Sequence, residues 1–155
     1  MRETPYPEID GIGSFPESLR FAEPLNSKDM PQNVRQILSF IHQHLCSPGL
    51  NVQQLKRSCQ IGDNNISSRF RQVVGVTIKD YIESLRMEVA ARLLRKRSVS
   101  IYEIAQSVGY DNPQTFYRAF ERRFHCTPAT YRSVERRAKE DGERAVAPGK
   151  EVLPA

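Results

Sequence analysis

The sequence lacks several kinds of segment, and each absence excludes a class of protein. No apolar run approaches the roughly 18 residues that a membrane-spanning helix needs, so no membrane partner is expected. The first residues carry acids and prolines where a signal peptide would have a basic stretch followed by an apolar one, and we therefore expect a cytoplasmic protein. The alternation of apolar and polar residues that is typical of strands is also missing.

Side chains that bind metals or carry out catalysis are few and badly spaced. The three cysteines, Cys46, Cys59 and Cys126, are odd in number and show no CxxC spacing, which argues against a disulfide framework and a zinc site. His42 and His44 are two residues apart, so on a helix they point in different directions and cannot chelate one ion. No catalytic triad, carboxylate pair or activated thiol is visible. We expect no metal, no cofactor, no small-molecule site and no enzymatic activity.

What the chain does have is a basic middle. Its 155 residues suffice for one domain with tails and a single continuous core, and its 39% hydrophobic and 26% charged residues are ordinary for a globular protein. Residues 31–139 carry 18 basic and 8 acidic side chains, a net charge of +10, while both ends are acidic. This excess suits a phosphate-binding surface, although a solvated face or an acidic protein partner would explain it equally well.

Apolar spacing divides the chain into three parts. Residues 1–30 hold four prolines and two glycines without periodicity and are interpreted as an irregular arm or linker, and residues 140–155 as a polar tail. Residues 31–139 show helical spacing almost throughout, which predicts an all-α domain of about seven helices. Side chains that cap helices mark the expected starts; they are Asn51, Asp63 or Asn64, Thr77, Ser100, Asn112 and Thr127.

An internal repeat organises these helices. Asn51, Leu55 and Cys59 recur 49 positions later as Ser100, Ile104 and Val108, and Phe70, Val74, Thr77 and Tyr81 recur 50 positions later as Phe120, Phe124, Thr127 and Tyr131. Each unit is a short helix, a tight turn and a second helix with one apolar face, which predicts two helix-turn-helix units. The first covers about 51–75 and the second about 100–125, joined by a long helix at about 78–96.

The second helix of each unit exposes a polar face. In the second unit Gln114, Tyr117, Arg118 and Glu121 lie opposite three phenylalanines, and the first unit has Asn64, Ser67, Ser68 and Arg71 in the matching positions. Arginine can bind guanine and glutamine can bind adenine through paired hydrogen bonds, so these faces favour DNA recognition in the major groove. The alternative interpretation is a helical bundle in which the repeat serves packing alone.

The second unit closely resembles the AraC/XylS family of bacterial transcription regulators. The resemblance is carried by SIYEIAQSVGY at 100–110, FYRAF at 116–120 and TPATYR at 127–132, and more weakly by residues 61–75 and 81–94; it covers about residues 33–137. It implies a monomeric module that reads two neighbouring major-groove segments of double-stranded DNA. It further implies sequence-specific regulation of transcription on the nucleoid, with activation through RNA polymerase as the usual mode.

The resemblance also implies which residues contact DNA. The base-reading positions are Asn64, Ser67 and Ser68 in the first unit and Gln114, Thr115, Tyr117 and Arg118 in the second. Candidate phosphate contacts are Arg69, Arg71, Arg122 and Arg123.

Three features depart from the family pattern. Ser67 and Ser68 are short, so the first unit should read few bases directly and depend on phosphates and DNA shape. Arg69 stands where a leucine or methionine usually faces the core, so it should reach out to a phosphate, or else its helix packs more loosely. His125 stands where a glycine usually ends the helix, so it should adopt a positive φ at a small cost in stability.

Other functions remain open from the sequence. The chain could be a non-specific architectural DNA-binding protein, or the DNA-binding fragment of a larger sensor or repair protein. Thirty irregular residues cannot form a ligand-binding or receiver domain. The sequence is therefore compatible with three modes of regulation: control of the protein's abundance, a sensory domain in a longer protein of which this chain is the C-terminal part, or a partner that binds the arm. The basic run Arg95-Lys96-Arg97 is either a solvated helix end or a phosphate contact.

Overall fold

A computed structural model describes residues 30–96 and 98–146, with side chains as far as residue 143. Within these ranges the chain forms helices and no strand, which confirms the all-α prediction. The seven helices are α1 (Gln32–His44), α2 (Val52–Ser58), α3 (Ile66–Val74), α4 (Ile78–Leu94), α5 (Ile101–Ser107), α6 (Pro113–Phe124) and α7 (Pro128–Val146). Almost all of the predicted arm, residue Arg97 of the basic run and the end of the predicted tail lie outside the described residues.

Side-chain caps begin most of the helices where the sequence predicts them. Asn51 accepts a hydrogen bond from the backbone N–H of Gln54, and Thr77 does the same for Asp80. Ser100 and Glu103 form a complete capping box at the start of α5, and Asn112 followed by Pro113 starts α6. These caps satisfy backbone N–H groups that have no partner within their own helix.

The predicted cap of α3 is wrong. The helix begins at Ile66, later than Asp63 or Asn64 would allow, and its cap position is taken by Asn65, whose side chain makes no capping hydrogen bond. Asp63 instead accepts from the backbone N–H of Asn65 at 2.8 Å, which closes a turn before the helix. Asn64 therefore lies in that turn and not in α3.

Among the described residues, the buried apolar side chains form two clusters that share α4. Ile78, Ile82 and Leu85 of α4 pack with α1, α2 and α3, whereas Met87, Ala90 and Leu94 pack with α5 and α6. The chain is long enough for a single continuous core, but the buried side chains of the described residues fall into these two clusters, and partly buried Val89 packs against both. The apolar residues of α4 move from one side of the helix to the other along its length, so each half of the chain has a core of its own.

Left-handed residues recur with the repeat. Gly75 and His125, 50 positions apart, end α3 and α6 with φ angles of 90° and 57°. The positive φ expected at His125 is confirmed. In the turn inside each unit the corresponding pair is Gln60 at 53° and Gly109 at 89°. The turn of the first unit thus uses a glutamine where the second uses a glycine.

The last helix continues beyond the predicted end of the domain at residue 139. α7 reaches Val146, and from Arg136 onwards its described side chains are exposed. Good helix formers and an Arg136–Glu140 ion pair one turn apart, at 3.7 Å, favour this extension. None of the described helices has the length and apolarity needed to cross a membrane.

Candidate nucleic-acid interface

The second helix of the second unit is fixed from one side only. Phe116, Ala119 and Phe120 are buried, and the Phe120 ring contacts the rings of Phe124 and Tyr131 at centroid distances of 4.6 and 5.5 Å. Asn112 caps the first turn through the backbone N–H of Gln114 at 2.8 Å. α6 is therefore held rigidly with its other face towards solvent.

That exposed face carries the predicted base-reading residues. Gln114, Thr115 and Arg118 are all exposed. Gln114 and Arg118 are one turn apart, so they lie on the same side of the helix. Arg118 makes no ion pair with any residue in the described ranges, and its guanidinium is available to a ligand.

Tyr117 has a mixed position. It is half-buried, and its ring packs edge-on against Phe116 at a centroid distance of 6.1 Å. Part of the side chain thus supports the core, and the rest lies at the border of the exposed face of α6.

The two arginines near the end of α6 are paired with carboxylates of α4. Arg122 donates to Glu83 at 2.7 Å, and Arg123 donates to Glu88 at 3.2 Å. The Glu83 carboxylate raises the pKa of the Arg122 guanidinium through this hydrogen bond and its charge. Sequence reasoning did not find the two glutamates, because 35 to 39 residues separate them from their partners.

Helix geometry separates these two arginines. Arg122 comes four residues after Arg118 and lies only about 40° from it around the axis of α6. Arg123 comes five residues after Arg118 and lies about 140° from it. Arg122 therefore borders the exposed face, although it is held by Glu83. Arg123 points towards α4, away from Gln114 and Arg118.

In the first unit, α3 exposes shorter side chains. Ile66, Phe70 and Val74 are buried, whereas Ser67 and Ser68 are exposed. Asn64 is also exposed, in the turn before the helix. The three predicted residues thus lie near the start of α3: Asn64 precedes Ile66, and Ser67 and Ser68 follow it.

Gln72 is a further candidate that sequence reasoning missed. It is exposed and lies one turn after Ser68 on α3, and it corresponds to Arg122 at the repeat offset of 50. Its amide could donate and accept hydrogen bonds at the edge of a base. The helical spacing from Ser68 and the repeat itself would have identified it.

Several known proteins are similar to this chain over about two thirds of its length. The xylose operon regulatory protein of Escherichia coli strain K12 is 37% identical over 101 residues, which are 65% of this chain and 26% of that protein. Regulatory protein SoxS of the same strain is 33% identical over 99 residues, covering 64% of this chain and 92% of SoxS. The solved C-terminal domain of AraT, a response regulator from Geobacillus stearothermophilus, is 27% identical with a TM-score of 0.65, covering 68% of this chain and 88% of that domain.

A family model described as a helix-turn-helix domain matches residues 43–133, more than half of the chain. The chain belongs to the AraC/XylS family. Its fold is the family's all-α double helix-turn-helix domain. The chain covers about a quarter of the length of the xylose operon regulatory protein but nearly the whole of SoxS.

Arg69 shows how this member of the AraC/XylS family departs from the pattern on α3. Its side chain is 47% exposed and pairs with Asp63 at 3.3 Å. The corresponding residue on α6 is Ala119, which is buried. Arg69 therefore leaves the core side of α3 for an ion pair at the start of that helix, whereas Arg71 is exposed and makes no ion pair within the described residues.

Proposed function

We propose that this chain is a sequence-specific DNA-binding regulator of transcription, with α3 and α6 in successive major-groove segments of one duplex. The observation that carries the proposal is the construction of α6, whose aromatic face is buried while Gln114 and Arg118 stand exposed on the other. A helix fits the major groove, and these two side-chain types distinguish bases there.

The linker helix supports reading by two units. α4 has 17 residues and is therefore about 25 Å long; α3 precedes it directly in sequence, and α6 follows it after the short helix α5. Successive major-groove segments on one side of a duplex are about 34 Å apart. A stiff connector of this order suits two helices that enter neighbouring segments. The chain would then bind as a monomer.

The roles of individual residues follow from their positions. On α6, Gln114 and Arg118 would read bases, with Thr115 and Tyr117 beside them. In the first unit Asn64, Ser67 and Ser68 would make shorter contacts, with Gln72 as an addition from the structure. Phosphate contacts would come from Arg69 and Arg71, whereas Arg122 could make one only after leaving Glu83. Arg123 stays a weaker candidate, because it pairs with Glu88 and lies about 140° around α6 from Arg118.

The relatives support regulation as the biological role. The similar proteins include a regulatory protein of an operon and the regulatory protein SoxS, and RclR of E. coli, 34% identical over 94 residues, bears the name of a transcriptional activator. We propose activation, through contact with RNA polymerase bound nearby on the nucleoid in the cytoplasm.

Selection of bound sequences from a random duplex library tests the proposal. At about physiological salt, where non-specific affinity is weak, we expect enrichment of two short blocks about one helical turn apart. One block alone would mean that α3 serves only to bind phosphates. No enrichment would contradict sequence-specific binding and favour an architectural DNA-binding protein.

A further inference from the structure

Arg86 is a charged residue buried in the middle of the chain. It is 8% exposed and lies on α4 between Leu85 and Met87, which belong to the first and the second apolar cluster respectively. Arg86 therefore lies at the boundary on α4 between the residues of the first cluster and those of the second. A buried charge is costly unless hydrogen bonds compensate it, so its partners are informative.

On one side, Arg86 holds the end of α1. Its Nε donates to the backbone oxygen of Leu45 at 2.9 Å, and its Nη2 donates to that of Ser47 at 2.7 Å. The Leu45 carbonyl at the end of α1 lacks a partner within the helix, and the same guanidinium also binds the Ser47 carbonyl in the turn that follows. α1 packs in the first cluster with α3. Arg86 is thus tied to the unit that carries the first recognition helix.

On the other side, Arg86 supports the turn between α5 and α6. Its guanidinium carbon lies 5.5 Å from the ring centre of Tyr110. A Cβ atom at Gly109 would lie 2.8 Å from Nη2 of Arg86, 3.0 Å from its Cζ and 3.1 Å from the backbone oxygen of Cys46. The turn that precedes the second recognition helix therefore packs directly against Arg86 and against the backbone that follows α1.

We propose that Arg86 is a positioning residue that fixes the two helix-turn-helix units relative to each other and so determines which spacing between two base blocks the chain accepts. The proposal rests on the two-unit binding proposed above. One extra base pair moves a block along the duplex and rotates it by about 34–36°. Only a stiff joint between the units can discriminate against so small a change.

The test measures spacing preference with the intact chain. The probes are the two-block duplex that the unsubstituted chain selects and two versions of it with one base pair inserted or deleted between the blocks. We expect the unsubstituted chain to prefer the selected spacing by at least about tenfold in Kd, similar to the effect of one mismatched base pair. Arg86→Met removes the guanidinium and keeps a long side chain. We expect it to lower this preference to roughly threefold or less, on the same scale, while each block is still recognised.

A matched pair of glycine substitutions provides a second route. Gly109 and Gly75 have φ angles of 89° and 90°, so alanine brings similar backbone strain to both. Only the Cβ at position 109 meets Arg86, because nothing lies within 4 Å of that at position 75. Gly109→Ala should weaken the spacing preference, and Gly75→Ala should leave it intact.

The outcomes separate the two proposals. If the unsubstituted chain selects no two-block duplex, the proposed function fails. If it selects one and the folded Arg86→Met chain keeps the full spacing preference, the role of Arg86 is overturned. Should Arg86→Met not fold, an unchanged preference in Gly109→Ala overturns it instead. Circular dichroism verifies folding before each binding measurement.

Discussion

Arg118 is the residue at which base reading can be tested with one substitution. Its exposed guanidinium has no ion-pair partner in the described ranges, so truncation removes no intramolecular contact of that kind. We expect Arg118→Ala to cost about 1–3 kcal/mol of binding free energy on the selected duplex and little on random DNA. Fluorescence anisotropy on labelled duplexes measures both quantities.

The control for Arg118 removes the same charge elsewhere. Arg136 on α7 is exposed and pairs only loosely with Glu140, at 3.7 Å. Arg136→Ala should cause small losses of similar size on both duplexes. Equal losses on both duplexes in Arg118→Ala would show that this arginine binds phosphate and does not read a base.

His42 makes the stability of the fold depend on pH. The imidazole is buried, and its Nε2 lies 2.9 Å from the hydroxyl of Tyr81. Burial lowers the pKa of His42 from 6.5 to about 4. Between these values the unfolded chain takes up a proton that the folded chain does not. Neutral His42 therefore makes its full contribution to the free energy of unfolding above pH 6.5. As the pH falls towards 4, the free energy of unfolding decreases by up to about 3 kcal/mol.

Urea unfolding at several pH values checks this prediction. Relative to the unsubstituted chain, His42→Gln should have a free energy of unfolding that falls less steeply between pH 6.5 and 4. The exposed His44, two residues away, is the matched control, and His44→Gln should keep the original slope. An identical slope in His42→Gln would contradict the assignment.

At the scale of elements, α4 acts on α6 through two carboxylates. Glu83 holds Arg122 near the exposed face of α6, and Glu88 holds Arg123 on the opposite side. Glu83→Gln should release Arg122 for a phosphate. We expect tighter binding to random duplex and a salt dependence steeper by about one unit of log–log slope.

Glu88→Gln is the control for that experiment, because it removes the same charge from the same helix but frees an arginine that faces away from the recognition residues. It should change the affinity less and leave the salt slope unchanged. Equal effects of the two substitutions would indicate general electrostatics and not the release of Arg122.

Local chemistry explains which elements could be predicted from the sequence. Ser100 with Glu103, and Asn112 with Pro113, mark helix starts through contacts within three residues, so the sequence alone suffices there. At α3, three consecutive cap-type residues, Asp63, Asn64 and Asn65, compete, and the sequence does not decide between them. Pairs such as Arg122 with Glu83 depend on how helices pack and have no local pattern.

For the whole molecule, the repeat predicts the architecture but not the way its two halves join. Helical periodicity and the 49–50 residue offset are sufficient to predict two helix-turn-helix units, and to predict that Gln114 and Arg118 lie on an exposed face. They do not reveal that α4 divides its apolar residues between two clusters, or that Arg86 stands between them. Those features depend on contacts between residues about 40 positions apart.

The central claim is that one chain reads two blocks of DNA with two separate helices. The most direct measurement repeats the random-duplex selection with the double variant Gln114→Ala/Arg118→Ala beside the unsubstituted chain. The account predicts that the unsubstituted chain enriches two blocks and that the variant loses one of them while keeping the other. Two unchanged blocks would contradict base reading by α6, and the loss of both would contradict independent reading by α3.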